Sequence, residues 1–240
     1  MSDYEASGTL ATAAGGRSVL EGAFALLEAL QRAGDAGLTR LAAESGLPKA
    51  TAHRLLDQLV GLGAVARSGG RYRLGSQMFR LGRGWSPVPG LREAAKAPSL
   101  ELARATGATV AICALHDGQP MAVSGISGEV EQLVPLRSGQ LWPWRTAAGR
   151  LLVAGLPANT PLGALPAGWR RERAAILERA VVFDHEEVVA GVVCVAVPLN
   201  GPDGGMVAAL TVLATPERRL PGLADAVVRA GRTVSARLRR

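Results

Sequence analysis

The chain has few of the features that mark a secreted or membrane-bound protein. Its 240 residues include two cysteines, Cys113 and Cys194. Two are too few for a disulfide scaffold, and both stand in apolar runs that read as strands, so a reduced, cytoplasmic setting is expected. No uninterrupted apolar segment approaches the length of a membrane span, and residues 1–16 lack a basic start followed by an apolar run. Neither membrane insertion nor secretion is expected. No internal repeat is present. No pair among His116, His185, Cys113 and Cys194 has the short ligand spacing of a zinc motif, so no metal is assigned, and no cofactor. Acidic residues are the minority charge: 20 stand against 27 basic ones, a net +7. The basic set is nearly all arginine, the side chain best shaped for bidentate phosphate contact.

With 48% apolar and 20% charged residues, the chain can build ordinary globular cores in one or two domains. The positive charge is concentrated near one end, because residues 17–85 hold 10 basic and 5 acidic side chains, net +5. Within that region lies GLPKATAHRLLDQL, Gly46 to Leu59. Gly46 permits a tight turn, and Pro48 pre-sets the backbone for the first turn of a helix. Ala52, Leu55, Leu56 and Leu59 recur at spacings of three and four and form an inward stripe, while Ala50, His53, Arg54 and Asp57 point outward. Upstream, Thr39 can cap a shorter helix carrying Leu41, Ala42 and Ser45, so two helices meet through a glycine turn of helix-turn-helix length. Downstream, Ala64 to Arg67, the turn Ser68-Gly69-Gly70 and Arg71 to Leu74 read as a short basic hairpin. The result is a winged helix-turn-helix. Lys49, Ala50, Thr51, His53 and Arg54 occupy the face offered to a DNA groove, with Arg54 the best candidate for base or phosphate contact; Arg67, Arg71 and Arg73 on the wing suit phosphates.

In chain order, residues 1–16 are expected to form a flexible arm, 17–75 the winged domain, 76–90 a linker helix and hinge broken by glycine and proline, and 91–240 a second domain. Ser18 is a plausible N-cap for a helix whose inward stripe is Val19, Ala23, Leu26, Leu27 and Leu30, ended by Gly34 and Gly37. Ser76 can start a helix through Met78, Phe79 and Leu81. A further helix spans Leu91 to about Thr106. Thr109–Leu115, Met121–Ser124 and Gln132–Leu136 then read as strands, 146–155 and 170–180 as helices, Val192–Leu199 and Met206–Leu213 as buried strands, and Pro216–Arg240 as a closing helix. The second domain is therefore α+β, with helices covering an antiparallel sheet.

From residue 17 onward the chain resembles the isocitrate-lyase-regulator (IclR) family of bacterial transcription factors. The resemblance rests on SVLEGAFALLEAL, GLPKATAHRLLDQLVGLGAV and YRLG in the first part, then WPWRTAAGRLLVA, FDHEE and GVVCVAVPL, in the family's order. It implies an N-terminal winged helix-turn-helix joined to a C-terminal effector-binding domain of GAF-like α+β fold, in a homodimer or homotetramer that binds a pseudo-palindromic operator in double-stranded DNA. Asp184 to Glu187 read as an acidic turn before a strand, and the resemblance implies that Asp184 faces the effector and that Cys194 forms part of the pocket wall. Ala147, Ala148 and Gly149 open a helix, so their N–H groups could hold an anionic head group. Leu133, Leu136, Leu141 and Trp142 are candidate apolar walls. The chain departs from the family at Trp144, where His is frequent, and at Arg150, where Lys is frequent; the segment from Arg150 to Asp184 is also shorter. Where the family often offers two serines in the strand Ala208–Leu213, this chain has Thr211 and Leu213, which favours a ligand less polar than a small keto acid.

These readings make the chain a sequence-specific transcriptional regulator, more readily a repressor, whose operator affinity responds to a small organic effector, possibly an acid. The alternative is an enzyme using Cys194, His185 and Asp184, with a nucleic-acid-binding appendage. An apolar strand raises a thiol pKa, which weighs against a cysteine nucleophile.

Overall fold

A computed structural model describes residues 18–157, 160, 165–218 and 220–240. The arm expected at 1–16 lies outside them. The described chain divides into two compact units between Trp85 and Ser86, and no described helix is long and apolar enough to cross a membrane.

The first unit runs α1 (Val19–Ala33), β1 (Ala36–Gly37), α2 (Leu38–Ser45), α3 (Lys49–Gly61), β2 (Val65–Ser68), β3 (Arg71–Leu74) and α4 (Ser76–Arg83). A capping box starts α1: the Glu21 N–H donates to Ser18 Oγ at 3.2 Å, and the Ser18 N–H donates to the Glu21 carboxylate at 2.7 Å. Leu26, Leu27, Ala29 and Leu30 of α1 pack with Leu41, Ala42, Ala52, Leu55, Leu56, Leu59, Val65 and Tyr72 in one core. Val19, expected in the inward stripe, is 55% exposed, because the first residue of the helix lies beyond that core's edge. Thr39 does not cap α2. The N-cap is Gly37, whose extended backbone also pairs with Arg71, so the helix begins one residue before Thr39. Gly46, in the left-handed region at φ 64°, ends α2, and Pro48 sits at the N-cap of α3 rather than inside its first turn. The hairpin turns through Gly69 and Gly70 at φ +56° and +76°. A two-residue turn matched to strand twist needs positive φ at both positions, which glycine supplies without strain. The strand order is β1-β3-β2, all antiparallel. The two-residue β1 was not expected.

The second unit contains α5 (Leu91–Thr106), β4 (Thr109–His116), β5 (Gln119–Ile126), α6 (Ala147–Ala154), α7 (Trp169–Arg179), β6 (Val182–His185), β7 (Val193–Asn200), β8 (Met206–Ala214) and α8 (Leu220–Leu238). Its five-stranded antiparallel sheet has the order β5-β4-β8-β7-β6. Side chains alternate between the faces. Val110, Ile112, Val195, Val197, Leu210 and Val212 join Leu91, Ala95 and Leu102 of α5 and Leu223, Val227 and Val234 of α8 in one core. The intervening Ala111, Cys113, Ala196, Ala209 and Leu213 face Leu151, Leu152 and Val153 of α6 and Ile176 of α7. The sheet is thus sandwiched between two helical layers, the α+β architecture expected.

Three expectations fail here. Gln132–Leu136 is not a strand: the N–H groups of Leu133 and Val134 both donate to the Val130 carbonyl, forming turns that bury Val130 and Val134 one helical turn apart. The closing helix begins at Leu220, not Pro216. Val182–His185 is an edge strand where a turn was expected, with Asp184 directly opposite Cys194.

Candidate functional site

On the first unit, Lys49, Ala50, His53 and Arg54 lie on the exposed face of α3, and Thr51 is half-buried. Leu55, Leu56 and Leu59 anchor the opposite face in the core, so packing fixes which side chains α3 presents. Arg54 has no ion-pair or hydrogen-bond partner among the described residues. Two wing arginines are engaged. Arg67 Nη1 lies 3.6 Å from the Asp57 carboxylate, with its guanidinium carbon 5.3 Å from the Tyr72 ring centroid, and Arg71 Nε donates to Asp35 at 2.7 Å. His53 Nδ1 lies 3.2 Å from the other Asp57 oxygen, a contact that is ionic only when the imidazole is protonated. These pairs are solvent-exposed, worth about 0–1 kcal/mol each, and easily exchanged for another anion.

On the second unit, a small cavity of about 30 Å³ lies between the sheet and α6. Its floor is Ala111 and Cys113 of β4, Cys194 of β7, and Thr211 and Leu213 of β8; its roof is Trp142, Thr146, Ala147 and Ala148. The floor residues share one sheet face because Ala111 pairs with Thr211 and Cys194 with Leu213 across neighbouring strands. The roof is held by an N-cap. Thr146 Oγ1 accepts from the Gly149 N–H at 3.1 Å and donates to the Pro143 carbonyl at 3.0 Å. A side chain at Gly149 would press on the Trp144 backbone, its Cβ lying 2.7 Å from both the carbonyl carbon and Cα, so the helix start and the preceding turn are in contact. Thr211 Oγ1 donates to the Val195 carbonyl. The Trp142 indole Nε1 is buried without a hydrogen-bond partner among the described residues.

Asp184 is 2% exposed and stands beside the cavity, across from Cys194, without lining it. Its Oδ1 accepts the Glu187 N–H at 3.0 Å. Burial pushes its carboxyl above the ordinary carboxylate value, against the opposing pull of that hydrogen bond and of the Arg150 charge. Arg150 is held by Glu172 at 3.2 Å, by Glu187 at 3.4 Å and by the Phe183 carbonyl. Leu136 and Trp144 pack against the neighbouring core, whereas Leu141 and Leu133 are exposed, and none of the four lines the cavity.

Ala111, Cys113 and Thr146 line the cavity but were not singled out from the sequence. The alternation of small residues in β4 and a threonine just before Ala-Ala-Gly are the signals that point to them. Among the described residues, Cys194, His185 and Asp184 are not joined as a nucleophile and its base. Burial pushes the Cys113 thiol up to about 12 and raises the Cys194 thiol as well, while the strand alternation turns His185 outward, its ring stacked on Phe183. Among the described residues, no three His, Cys, Asp or Glu side chains are grouped to hold a metal ion.

Comparison with known proteins agrees with this arrangement. The IclR helix-turn-helix domain matches residues 19–69. The glycerol operon regulatory protein of Streptomyces griseus is 30% identical over 206 residues, 79% of this chain and 81% of that protein. The HTH-type transcriptional regulator XynR of Escherichia coli is 29% identical over 201 residues, 76% and 79% of the two chains. Among solved structures, an IclR homolog from Microbacterium hydrocarbonoxydans complexed with 4-hydroxybenzoate superimposes with a TM-score of 0.82 at 21% identity, covering 92% of this chain and 99% of that one. The IclR of Thermotoga maritima gives 0.72 at 22% identity, covering 92% and 98%. A winged helix-turn-helix unit followed by a helix-covered antiparallel sheet, matched along most of its length by relatives of this kind, places the chain in the IclR family of DNA-binding transcriptional regulators.

Proposed function

We propose that the protein is a cytoplasmic, effector-responsive repressor that acts as a homodimer or homotetramer on a pseudo-palindromic operator. Residues 17–75 form the DNA-binding domain, 76–90 the linker, and 91–240 the effector-binding and oligomerisation domain. Arg54, His53, Thr51, Ala50 and Lys49 meet the groove, and Arg67, Arg71 and Arg73 meet phosphates. A small organic effector enters the cavity over Cys194 and Thr211, with Ala147 and Ala148 at its head; Asp184, Leu136 and Leu141, expected from the sequence to touch it, stand outside the lining. Repression is the simplest mode, since a protein seated on a promoter excludes polymerase.

The observation that carries this reading is an apolar cavity between sheet and helix in the unit that follows a DNA-binding fold. The bound 4-hydroxybenzoate of the Microbacterium homolog supports a small organic molecule as effector. Effector and operator are coupled only through the effector's differential affinity for two arrangements of the DNA-binding heads, commonly about 1–3 kcal/mol.

Footprinting the purified protein over the DNA upstream of its own gene, with and without a panel of metabolites, tests the proposal. A protected pseudo-palindrome released by one metabolite is expected, together with derepression of the adjacent gene on deletion. Absence of a protected site, or product accumulating from a panel compound at catalytic protein concentration, would overturn it.

A further inference from the structure

Charge on the outer face of α3 is not all of one sign. Asp57 stands one turn after His53, away from the buried stripe of Ala52, Leu55, Leu56 and Leu59, and its side chain is half exposed. Its two oxygens serve different elements. Oδ2 lies 3.2 Å from His53 Nδ1 on the same helix, and Oδ1 lies 3.6 Å from Arg67 Nη1 on β2. Arg67 is held from a second side by the ring of Tyr72, a core residue directly across the hairpin from it. A long, flexible side chain is thereby fixed at one place between the wing and α3. The pair at Arg71 is built differently, because that guanidinium reaches the carboxylate and carbonyl of Asp35, between α1 and β1, and leaves α3 untouched. Among the described residues, Asp57 is the acid that ion-pairs α3 to the wing.

Resting on the reading of α3 and the wing as the DNA-binding face, we propose that Asp57 is a positioning residue for operator recognition: by holding Arg67 in place beside α3 it sets the wing in register with the helix and raises discrimination of operator over other DNA. Binding to arbitrary duplex is electrostatic, so an arginine can meet phosphates from many positions, and a carboxylate beside the contact only weakens it. Operator binding needs phosphate contacts at fixed places, because they set the register from which base edges are read. An arginine already held in place loses less freedom on binding. Asp57 therefore disfavours every duplex through its charge, and compensates only where the wing and α3 find their partners together. It also leaves a trace in the salt dependence. When Arg67 exchanges Asp57 for a phosphate, the released carboxylate takes up a cation, which offsets the counterion that the phosphate gives off.

Titration of the full chain with a duplex carrying the footprinted site and with a scrambled duplex of equal length, over a range of salt, tests the proposal on Asp57→Asn, Arg67→Gln and the double variant. Asp57→Asn keeps the shape and removes the charge at a half-exposed position. It should bind the scrambled duplex about two- to fivefold more tightly, the worth of one like charge beside a phosphate, and with a steeper salt slope. The ratio of operator to scrambled affinity should fall roughly two- to tenfold, the range for freeing one long side chain. With Arg67→Gln already in place, the Asp57 substitution should lower that ratio much less, because no arginine is left to position. Equal gains on both duplexes make Asp57 a repelling surface charge only and overturn the proposal, as does a fall in the ratio that is the same with and without Arg67. Arg67→Gln that binds both duplexes as the parent does, with an unchanged salt slope, takes the wing off the DNA and overturns the reading on which the proposal rests.

Discussion

Gly149→Ala is the substitution beside the cavity whose consequence the geometry constrains most tightly. The added methyl would lie 2.7 Å from the carbonyl carbon and Cα of Trp144, whereas unstrained carbon contacts begin near 3.5 Å, so the turn must retreat by roughly 0.8 Å. The obstacle is backbone, which has no rotamer to change. The turn that yields also carries Thr146, whose hydroxyl caps α6 and bonds the Pro143 carbonyl. Overpacking of this kind costs about 1–3 kcal/mol, and loss of the cap about 1 kcal/mol more. Replacing a helical glycine returns up to about 1 kcal/mol. The net loss is therefore about 1–3 kcal/mol, which lowers the Tm of a unit of roughly 150 residues by about 2–12 °C. Calorimetric unfolding of the full chain measures it, with fluorescence assigning the transition, since Trp142, Trp144 and Trp169 belong to the affected unit and Trp85 to the other. Operator binding without effector should persist while the effector response is lost. A Tm equal to or above that of the parent would refute the reasoning, because the contact would then have yielded at no cost.

Arg54→Ala should weaken specific operator binding by about 1–3 kcal/mol, read by titration at fixed salt, with little change in Tm because the side chain is exposed. Ser18→Ala removes half of the capping box and should destabilise the first unit by about 1 kcal/mol in urea unfolding. Asp184→Asn keeps the shape and an acceptor for the Glu187 N–H while removing the charge. Because burial raises the Asp184 pKa, the folded parent holds more protons than the unfolded chain between the ordinary carboxylate pKa and the raised one, so its stability falls as pH rises through that window. The variant should lack that fall. Parallel pH-stability curves for parent and variant would refute it.

The winged domain was legible because its core is written in period: the stripe of α3 and the Ser18 cap are local signals that packing did not override. The strand β1 was not, since two residues carry no period and pair only with Tyr72 and Arg71, far along the chain. Gln132–Leu136 is apolar enough for a strand, but with no neighbour to form a ladder it became turns over Val130 and Val134. The cavity was half legible. Ala147, Ala148, Cys194 and Thr211 came through family resemblance, whereas Ala111 and Cys113 read as ordinary core because a strand buried on both faces is apolar throughout. Of the four apolar walls expected from the sequence only Trp142 lines the cavity, whereas Thr146 lies in a connection without period, where only its contacts reveal a role.

The cavity is made of two materials with different freedom to vary. Its floor belongs to strands whose alternate residues, Val110 and Ile112 in β4 and Leu210 and Val212 in β8, hold the core beneath α5 and α8. Inserting or deleting one residue there would exchange floor for core along the whole strand. Variation in the floor is confined to replacing one side chain by another at fixed positions. The connection from β5 to α6, residues 127–146, delivers Trp142 to the opposite wall, and hydrogen bonds of Ala122 with Gly139 and Gln140 and of Trp142 with Pro120 tie only its stretch from Gly139 to Trp142 to the edge of β5. Outside that tied stretch and the buried Val130 and Val134, descendants of this chain could change the connection's length at less cost to the sheet than a change in the floor, so new contacts at the cavity are most readily acquired from above.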